Sequence, residues 1–168
     1  MTADASAVLE LQSQEATGNQ YLTFLLAGEQ YGLNILQVQE IRGWEHVTRI
    51  PNAPTYVRGV INLRGTIVPV LDLRSRFNLP AEDYTKETVV IVVRAAAAGD
   101  SERSLGLVVD AVSDVLVARD SEVVNTPDFG ANVPTENILG LVNQNGNMVM
   151  LLDVVSLHRD DGETGDTV

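Results

Sequence analysis

The sequence predicts a mainly β protein folded as two small barrels, each descended from one duplicated unit. Three observations point there. Apolar residues gather in short runs rich in Val, Ile and Leu and bounded by turn residues, as in YLTFLLA (Tyr21 to Ala27) and TVVIVVR (Thr88 to Arg94). Two longer runs, NLRGTIVPVLDL and NQNGNMVMLLDV, each carry a hairpin signal at their middle. Those runs also belong to a repeat. Arg58 to Ser75 lies on Leu139 to Ser156 at a constant offset of 81, placing Gly59 on Gly140, Asn62 on Asn143, Gly65 on Gly146, Asp72 on Asp153 and Ser75 on Ser156. Tyr31 to Ile41 lies on Leu105 to Val115 at an offset of 74, and Tyr21 to Ala27 on Thr88 to Arg94 at 67. Short strands, tight turns and closure within each unit of about 65 residues indicate barrels, because closure removes adhesive sheet edges.

The elements follow in order. Residues 1–19 are an acidic, polar arm, flexible but for a weak helical turn around Val8 to Leu11. The ordered body runs over 20–158, its first unit over about 20–82 and its second over about 83–158. After the strand at Tyr21, Asn34 is placed to cap a short helix over Ile35 to Ile41, with Ile35, Val38 and Ile41 on one face. The counterpart in the second unit, VVDAVSDVL, is valine-rich and stays extended. Arg64-Gly65 and Asn145-Gly146 are the hairpin turns, and Gly59, Gly65, Gly140 and Gly146 are assigned to turns. Pro69 lacks an N–H, so its strand belongs at an edge or a bulge. PAEDYTKE (Pro80 to Glu87) divides the units, and residues 159–168 form an acidic, disordered tail.

Composition removes several functions. The chain has 168 residues, no cysteine and a formal net charge of −12. That excludes disulfides, thiolate metal sites and a cysteine nucleophile, and fits a reducing compartment, the cytoplasm. Twenty-three acidic residues against eleven basic ones argue against nucleic acid and anionic membrane surfaces. No apolar run is long enough to insert into a bilayer. Ten of the eleven cations are arginine, a planar fork suited to a partner's carboxylates. Catalysis finds no support. The two histidines, His46 and His158, lack a ligand spacing or an acidic partner, and no phosphate-loop or nucleophile-elbow pattern occurs. Asp72 and Asp153 are duplicates of each other at strand ends, which suits capping rather than acid–base work. No metal and no cofactor is expected. Between the units, Arg64 becomes Asn145 and Arg58 becomes Leu139 while the adjoining glycines stay, so the first unit carries a specialised contact.

The runs QVQEIRGW (Gln37 to Trp44), RIPNAP (Arg49 to Pro54), RGVINLRGTIVPVLDLR (Arg58 to Arg74), TVVIVV (Thr88 to Val93) and GLVVDAVSDVL (Gly106 to Leu116) resemble the CheW family of bacterial chemotaxis coupling proteins. The resemblance covers about 20–158 and implies two five-stranded SH3-like barrels. It also implies a non-catalytic adaptor joining the cytoplasmic hairpin tips of chemoreceptors to the regulatory domain of the histidine kinase CheA, in arrays at the inner membrane. Carried over by position, Val38, Glu40 and Arg64 match coupling positions. Thr88, Val89, Gly106 and Val112 match positions that line or support a groove between the barrels, where the receptor helix docks. The competing readings are an adaptor of a non-flagellar chemosensory pathway and a small-molecule-binding β-barrel.

Overall fold

A computed structural model describes residues 18–96, 101–125 and 137–157. Its strands are β1 (Asn19–Leu26), β2 (Glu29–Asn34), β3 (Val38–Gly43), β4 (Val57–Leu63), β5 (Thr66–Asp72), β6 (Val89–Ala95), β7 (Arg103–Val109), β8 (Ala111–Ala118), β9 (Ile138–Gln144) and β10 (Asn147–Leu152). Two helical turns, α1 (Leu73–Arg76) and α2 (residues 154–157), follow β5 and β10. The strands form two five-stranded sheets, in the orders β3-β6-β7-β5-β4 and β8-β1-β2-β10-β9. These are the two SH3-like barrels, barrel I and barrel II.

The sequence units and the barrels do not share boundaries. Barrel I takes β3, β4 and β5 from the first unit and β6 and β7 from the second; barrel II takes β8, β9 and β10 with β1 and β2. Each unit lends its first two strands to the other unit's last three. Closure within each of the two units, 20–82 and 83–158, is therefore corrected: both sheets need strands from both halves. The chain passes from barrel II to barrel I through Ile35–Gln37 and returns through Asp110.

The duplication is visible at every level of the two barrels. A bulge displaces Arg58 in the β4–β5 ladder and Leu139 at the matching place in β9–β10. Each barrel closes through one isolated bridge, Thr48 to Val60 and Val124 to Leu141, with N···O distances of 2.8–3.0 Å. Gly59 and Gly140 stand inside strands at these closures, not in turns as expected. A Cβ on Gly59 would lie 2.2 Å from the Thr48 carbonyl oxygen, and one on Gly140 would lie 2.5 Å from Val123 Cγ1. The other two glycines are turn residues. Arg64 and Gly65 take φ of +51° and +90°, Asn145 and Gly146 +54° and +88°, the mirror-image turn that matches strand twist. The Asn62 and Asn143 carboxamide oxygens accept from the Gly65 and Gly146 N–H at 2.7 and 2.9 Å.

Two local expectations change. Asn34 does cap, its Oδ1 accepting from Leu36 N at 2.9 Å, but the helix is one 3₁₀ turn and Val38 begins β3. The β-branched Val38 and Ile41 then pair across the sheet with Val93 and Ile91. Pro69 sits in a strand with neighbours on both sides, yet the parallel pairing to β7 begins only at Val70. Its missing N–H therefore falls where no ladder partner exists.

The largest core lies between the barrels and draws on both. Leu22, Phe24, Leu33, Leu71, Phe77, Ile91, Leu107 and Leu157 are all buried there. Phe24, Tyr31 and Phe77 stack in series, with ring centroids 5.7 and 6.0 Å apart. Smaller cores fill barrel I (Val68, Val70, Val92) and barrel II (Val142, Val149, Leu151). At roughly 1.5–3 kcal/mol per buried large apolar side chain, the seam between barrels is the principal source of stability.

Candidate functional site

Three arginines of the first unit invite attention because the second unit replaces them, and each is held differently. Arg64 occupies the first turn position between β4 and β5. A non-glycine residue in that left-handed backbone costs about 1 kcal/mol, and Asn, as in the second unit, tolerates it better. The position aims the guanidinium sideways at β3, where Arg64 Nη2 lies 2.9 Å from Glu40 Oε1. Arg42 approaches the same carboxylate at 3.6 Å and donates to Glu45 at 2.8 Å. The Arg64 side chain is 68% exposed and that of Glu40 26%, so this pair contributes at most about 1 kcal/mol to stability. Val38 stands at the head of the same strand, half-buried against the central core. The sequence-predicted residues Glu40 and Arg64 are thus in direct contact, with Val38 two residues away on β3.

Arg58, in its bulge, turns inward. It donates to Asp72 Oδ2 through Nη2 at 3.2 Å and to the Tyr84 hydroxyl at 2.9 Å, while Tyr84 donates to Asp72 at 2.5 Å. Burial, and then the Asp72 carboxylate beside it, push the Tyr84 hydroxyl well above the usual tyrosine range, so it stays a donor. Trp44 packs edge-on against Tyr84 at 4.4 Å. The other Asp72 oxygen caps α1 through the Arg74 and Ser75 N–H groups; Asp153 repeats this at Val155 and Ser156. Capping twice over is what the duplication implied for these two carboxylates.

Arg74 forms a fork on Asp110 at 2.6 and 2.8 Å, and Asp110 also accepts from the Ala27 N–H at 2.9 Å. Because Ala27 belongs to the β1–β2 turn of barrel II and Arg74 to α1 beside barrel I, this carboxylate clamps the two barrels. Burial alone would raise the Asp110 carboxyl, but the Arg74 fork, the Ala27 N–H and the arginine charge hold it below the usual range. Sequence reasoning passed over Arg74, Tyr84 and Asp110. The fork spans 36 residues, and no periodicity or motif announces such a pair.

The four residues expected at an inter-barrel groove divide. Val89 and Val112 are half-buried against the central core, at the starts of β6 and β8. Thr88 is buried; its Oγ1 accepts from Thr85 N at 2.8 Å, and it borders a cavity of about 110 Å³ with Arg74, Tyr84 and Asp110. Gly106 faces the inside of barrel I, where a Cβ would come within 3.0 Å of Val90 and 3.3 Å of Val70.

Comparison with known proteins gives a consistent result. The family described as CheW-like domain matches residues 20–161. The chemotaxis protein CheW of Klebsiella aerogenes is 43% identical over 143 residues, covering 85% of this chain and 83% of its own length. The chemotaxis protein CheW of Bacillus subtilis is 36% identical over 137 residues, 82% of this chain and 85% of that one. Among solved structures, the scaffolding protein TtCheW from Thermoanaerobacter tengcongensis superposes with a TM-score of 0.74 at 30% identity, covering 83% of this chain and 86% of that one.

Proposed function

This chain belongs to the CheW-like domain family, and we propose that it serves chemotaxis as a non-catalytic adaptor coupling chemoreceptor cytoplasmic tips to the regulatory domain of the histidine kinase CheA. The observation that carries this reading is the Glu40–Arg64 pair. An arginine is kept on a backbone that disfavours it, for an exposed ion pair worth little to folding, where the other unit uses asparagine. Such a group is spent on a partner. Glu40 and Arg64 offer both signs of charge at a rim, which fixes register more than it adds affinity, and Val38 supplies apolar area beside them.

Receptor tips are helical hairpins, so docking takes the form of a helix laid in an apolar groove, with Val89 and Val112 contributing contact area and Thr88 and Gly106 supporting them from within. Individual contacts can be weak because neighbouring copies in an array raise the effective concentration. Recruitment to arrays at the inner membrane follows from those contacts; among the described residues no helix is long and apolar enough to cross a membrane. Signal passes when receptor states differ in their fit to adaptor and kinase, so that ligand binding at the receptor shifts kinase activity without a reaction in this protein.

The test is Arg64→Asn, which keeps the turn the second unit already builds with asparagine. The variant should melt at or slightly above the wild-type temperature and lower receptor-dependent CheA activation in reconstituted arrays by about tenfold, the equivalent of ~1.4 kcal/mol of lost coupling. Wild-type activation by this variant would remove Arg64 from the coupling role.

A further inference from the structure

The β9–β10 hairpin turns on Asn145-Gly146, and Asn145 is the one asparagine of the chain followed by glycine. That order of residues carries a latent reaction. A backbone nitrogen can attack the side-chain carboxamide of the residue before it, and a Cβ on the attacking residue is what ordinarily obstructs the approach. Gly146 has no Cβ, and nothing lies within 4 Å of where one would stand. Both turn residues are exposed, so water and hydroxide reach them. Asn52 and Asn78 share the left-handed backbone but precede Ala53 and Leu79, which close the approach. The first unit cannot react at all, because its matching turn is Arg64-Gly65.

The same turn holds the reaction back. Attack requires the Gly146 N–H to lose its proton, and this N–H donates to Asn143 Oδ1 at 2.9 Å. The two left-handed residues, with φ of +54° and +88°, are also clasped by the pairing of Gln144 with Asn147 on either side of them. Ring closure therefore waits on a local opening of the tip that breaks the Asn143 bond, and exposed hydrogen bonds at hairpin tips open readily.

We propose that Asn145 is a site of spontaneous covalent modification, deamidation through a cyclic imide, and that Asn143 is the positioning residue that governs its rate. The deprotonated Gly146 nitrogen bonds to Asn145 Cγ, the Cγ–Nδ2 bond breaks, and Nδ2 leaves as ammonia. Water then opens the ring. Cleavage at the Asn145 backbone carbonyl carbon leaves an isoaspartyl linkage through the side chain, and cleavage at Cγ leaves an ordinary aspartate. Carboxamide and water become carboxylate and ammonia, and nothing is oxidised or reduced. Either product adds a negative charge. The isoaspartyl linkage also adds a carbon to the backbone of a two-residue turn, which disturbs the ladder that pairs buried Val142 with Val149. This chemistry does not depend on the adaptor role.

The experiment keeps the full chain in warm, mildly alkaline buffer made with heavy-oxygen water and follows the tryptic peptides by mass spectrometry. Isoaspartate is counted by methyl transfer from S-adenosylmethionine with an isoaspartyl methyltransferase. Wild type should take up heavy oxygen at Asn145 ahead of every other asparagine and yield both products. Asn143→Ala should react about fivefold faster, as loss of one hydrogen bond raises the open population. Asn143→Asp, which keeps an oxygen acceptor for the Gly146 N–H, should react no faster than wild type. Arg64→Asn should gain a second reacting site at the β4–β5 turn, where the Asn62 oxygen accepts from Gly65 N–H at 2.7 Å. Aged wild type should melt below fresh protein, and Asn145→Gly, which keeps the turn and removes the carboxamide, should age without change. An unmodified Asn145 under conditions that deamidate the excised, unfolded peptide would overturn the site. Equal rates in wild type, Asn143→Ala and Asn143→Asp, all folded by their melts, would remove Asn143 from control. Uptake at Asn145 no faster than at Asn52 or Asn78 would leave the turn with no special reactivity and overturn the proposal.

Discussion

At the scale of single residues the duplicated unit provides its own control, because one backbone position carries two side chains under nearly the same geometry. Gly59 and Gly65 show how much this discriminates. A methyl on Gly59 meets the Thr48 carbonyl oxygen at 2.2 Å on a backbone with φ of +148°, and neither the bridge nor the strand can yield without opening the barrel. Gly65 has nothing within 4 Å of its Cβ position and carries only the left-handed turn, φ +90°. Gly59→Ala should therefore cost about 3 kcal/mol or more through overpacking and strain, and Gly65→Val about 1–2 kcal/mol through strain alone. For a chain of this size that separates their melting temperatures by several degrees. Equal losses in thermal melts of the two variants would show that the closure at Thr48 relaxes freely. Both glycines were conspicuous in the sequence through their repeats at 140 and 146, but the repeat could not tell a turn from a close approach. That distinction depends on which distant segment arrives, here residues 47–48.

At the scale of elements, the Arg74–Asp110 fork joins α1 to the crossing between β7 and β8. Asp110 has a folded-state pKa below its unfolded value of about 3.9, so its contribution is fully present above that value and is lost as pH falls through the depressed one. Asp110→Asn should cost about 2 kcal/mol at pH 7, since it weakens a charged hydrogen-bonded pair, and the gap from wild type should narrow only below about pH 4. A gap in denaturant midpoints that is constant from pH 7 to pH 3 would sink the assignment. How far the elements could be read in advance follows from what each depends on. The hairpins and the caps at Asp72 and Asp153 rest on local chemistry and stand as expected; the run VVDAVSDVL (Val108 to Leu116) is extended too, but it is divided at Asp110 between the end of β7 and the start of β8. The helix over Ile35 to Ile41 does not stand, because pairing of Val38 and Ile41 with β6 outweighs a weak helical periodicity. The alignment of Tyr21 to Ala27 with Thr88 to Arg94 is also off. The ladders pair Thr23 with Gly32 and Val92 with Gly106, an offset of 69 rather than 67. A shift of two residues preserves the alternation of faces in a strand, so hydrophobic pattern alone could not detect it.

At the scale of the molecule, the exchange of strand pairs gives the arrangement of a two-chain, strand-exchanged dimer whose chains are joined through Pro80 to Glu87. Cutting that joint leaves five strands on each piece, yet neither piece holds a complete sheet. Fragments 1–82 and 83–168 should each lack a cooperative melt as monomers, and on mixing they should regain far-UV circular dichroism and a single transition. A folded monomer from either fragment alone would contradict the exchange. The seam core strengthens the expectation, since Leu22, Leu71, Ile91 and Leu157 come from both pieces. The sequence made the duplication plain but not the exchange, because every strand in a repeat has two equivalent partners and only long-range pairing decides between them.

The same crossing pattern decides where mechanical load travels. The first and last described strands, β1 and β10, both belong to barrel II, while barrel I is spliced into it through Ile35–Gln37 and Asp110. A surface tether or fused reporter attached at either end therefore pulls on barrel II first. Tension reaches barrel I and the hairpin bearing Arg64 through those two crossings, the shared seam core and the Arg74–Asp110–Ala27 clamp, so load on the termini is spread over the whole seam before it arrives at that tip.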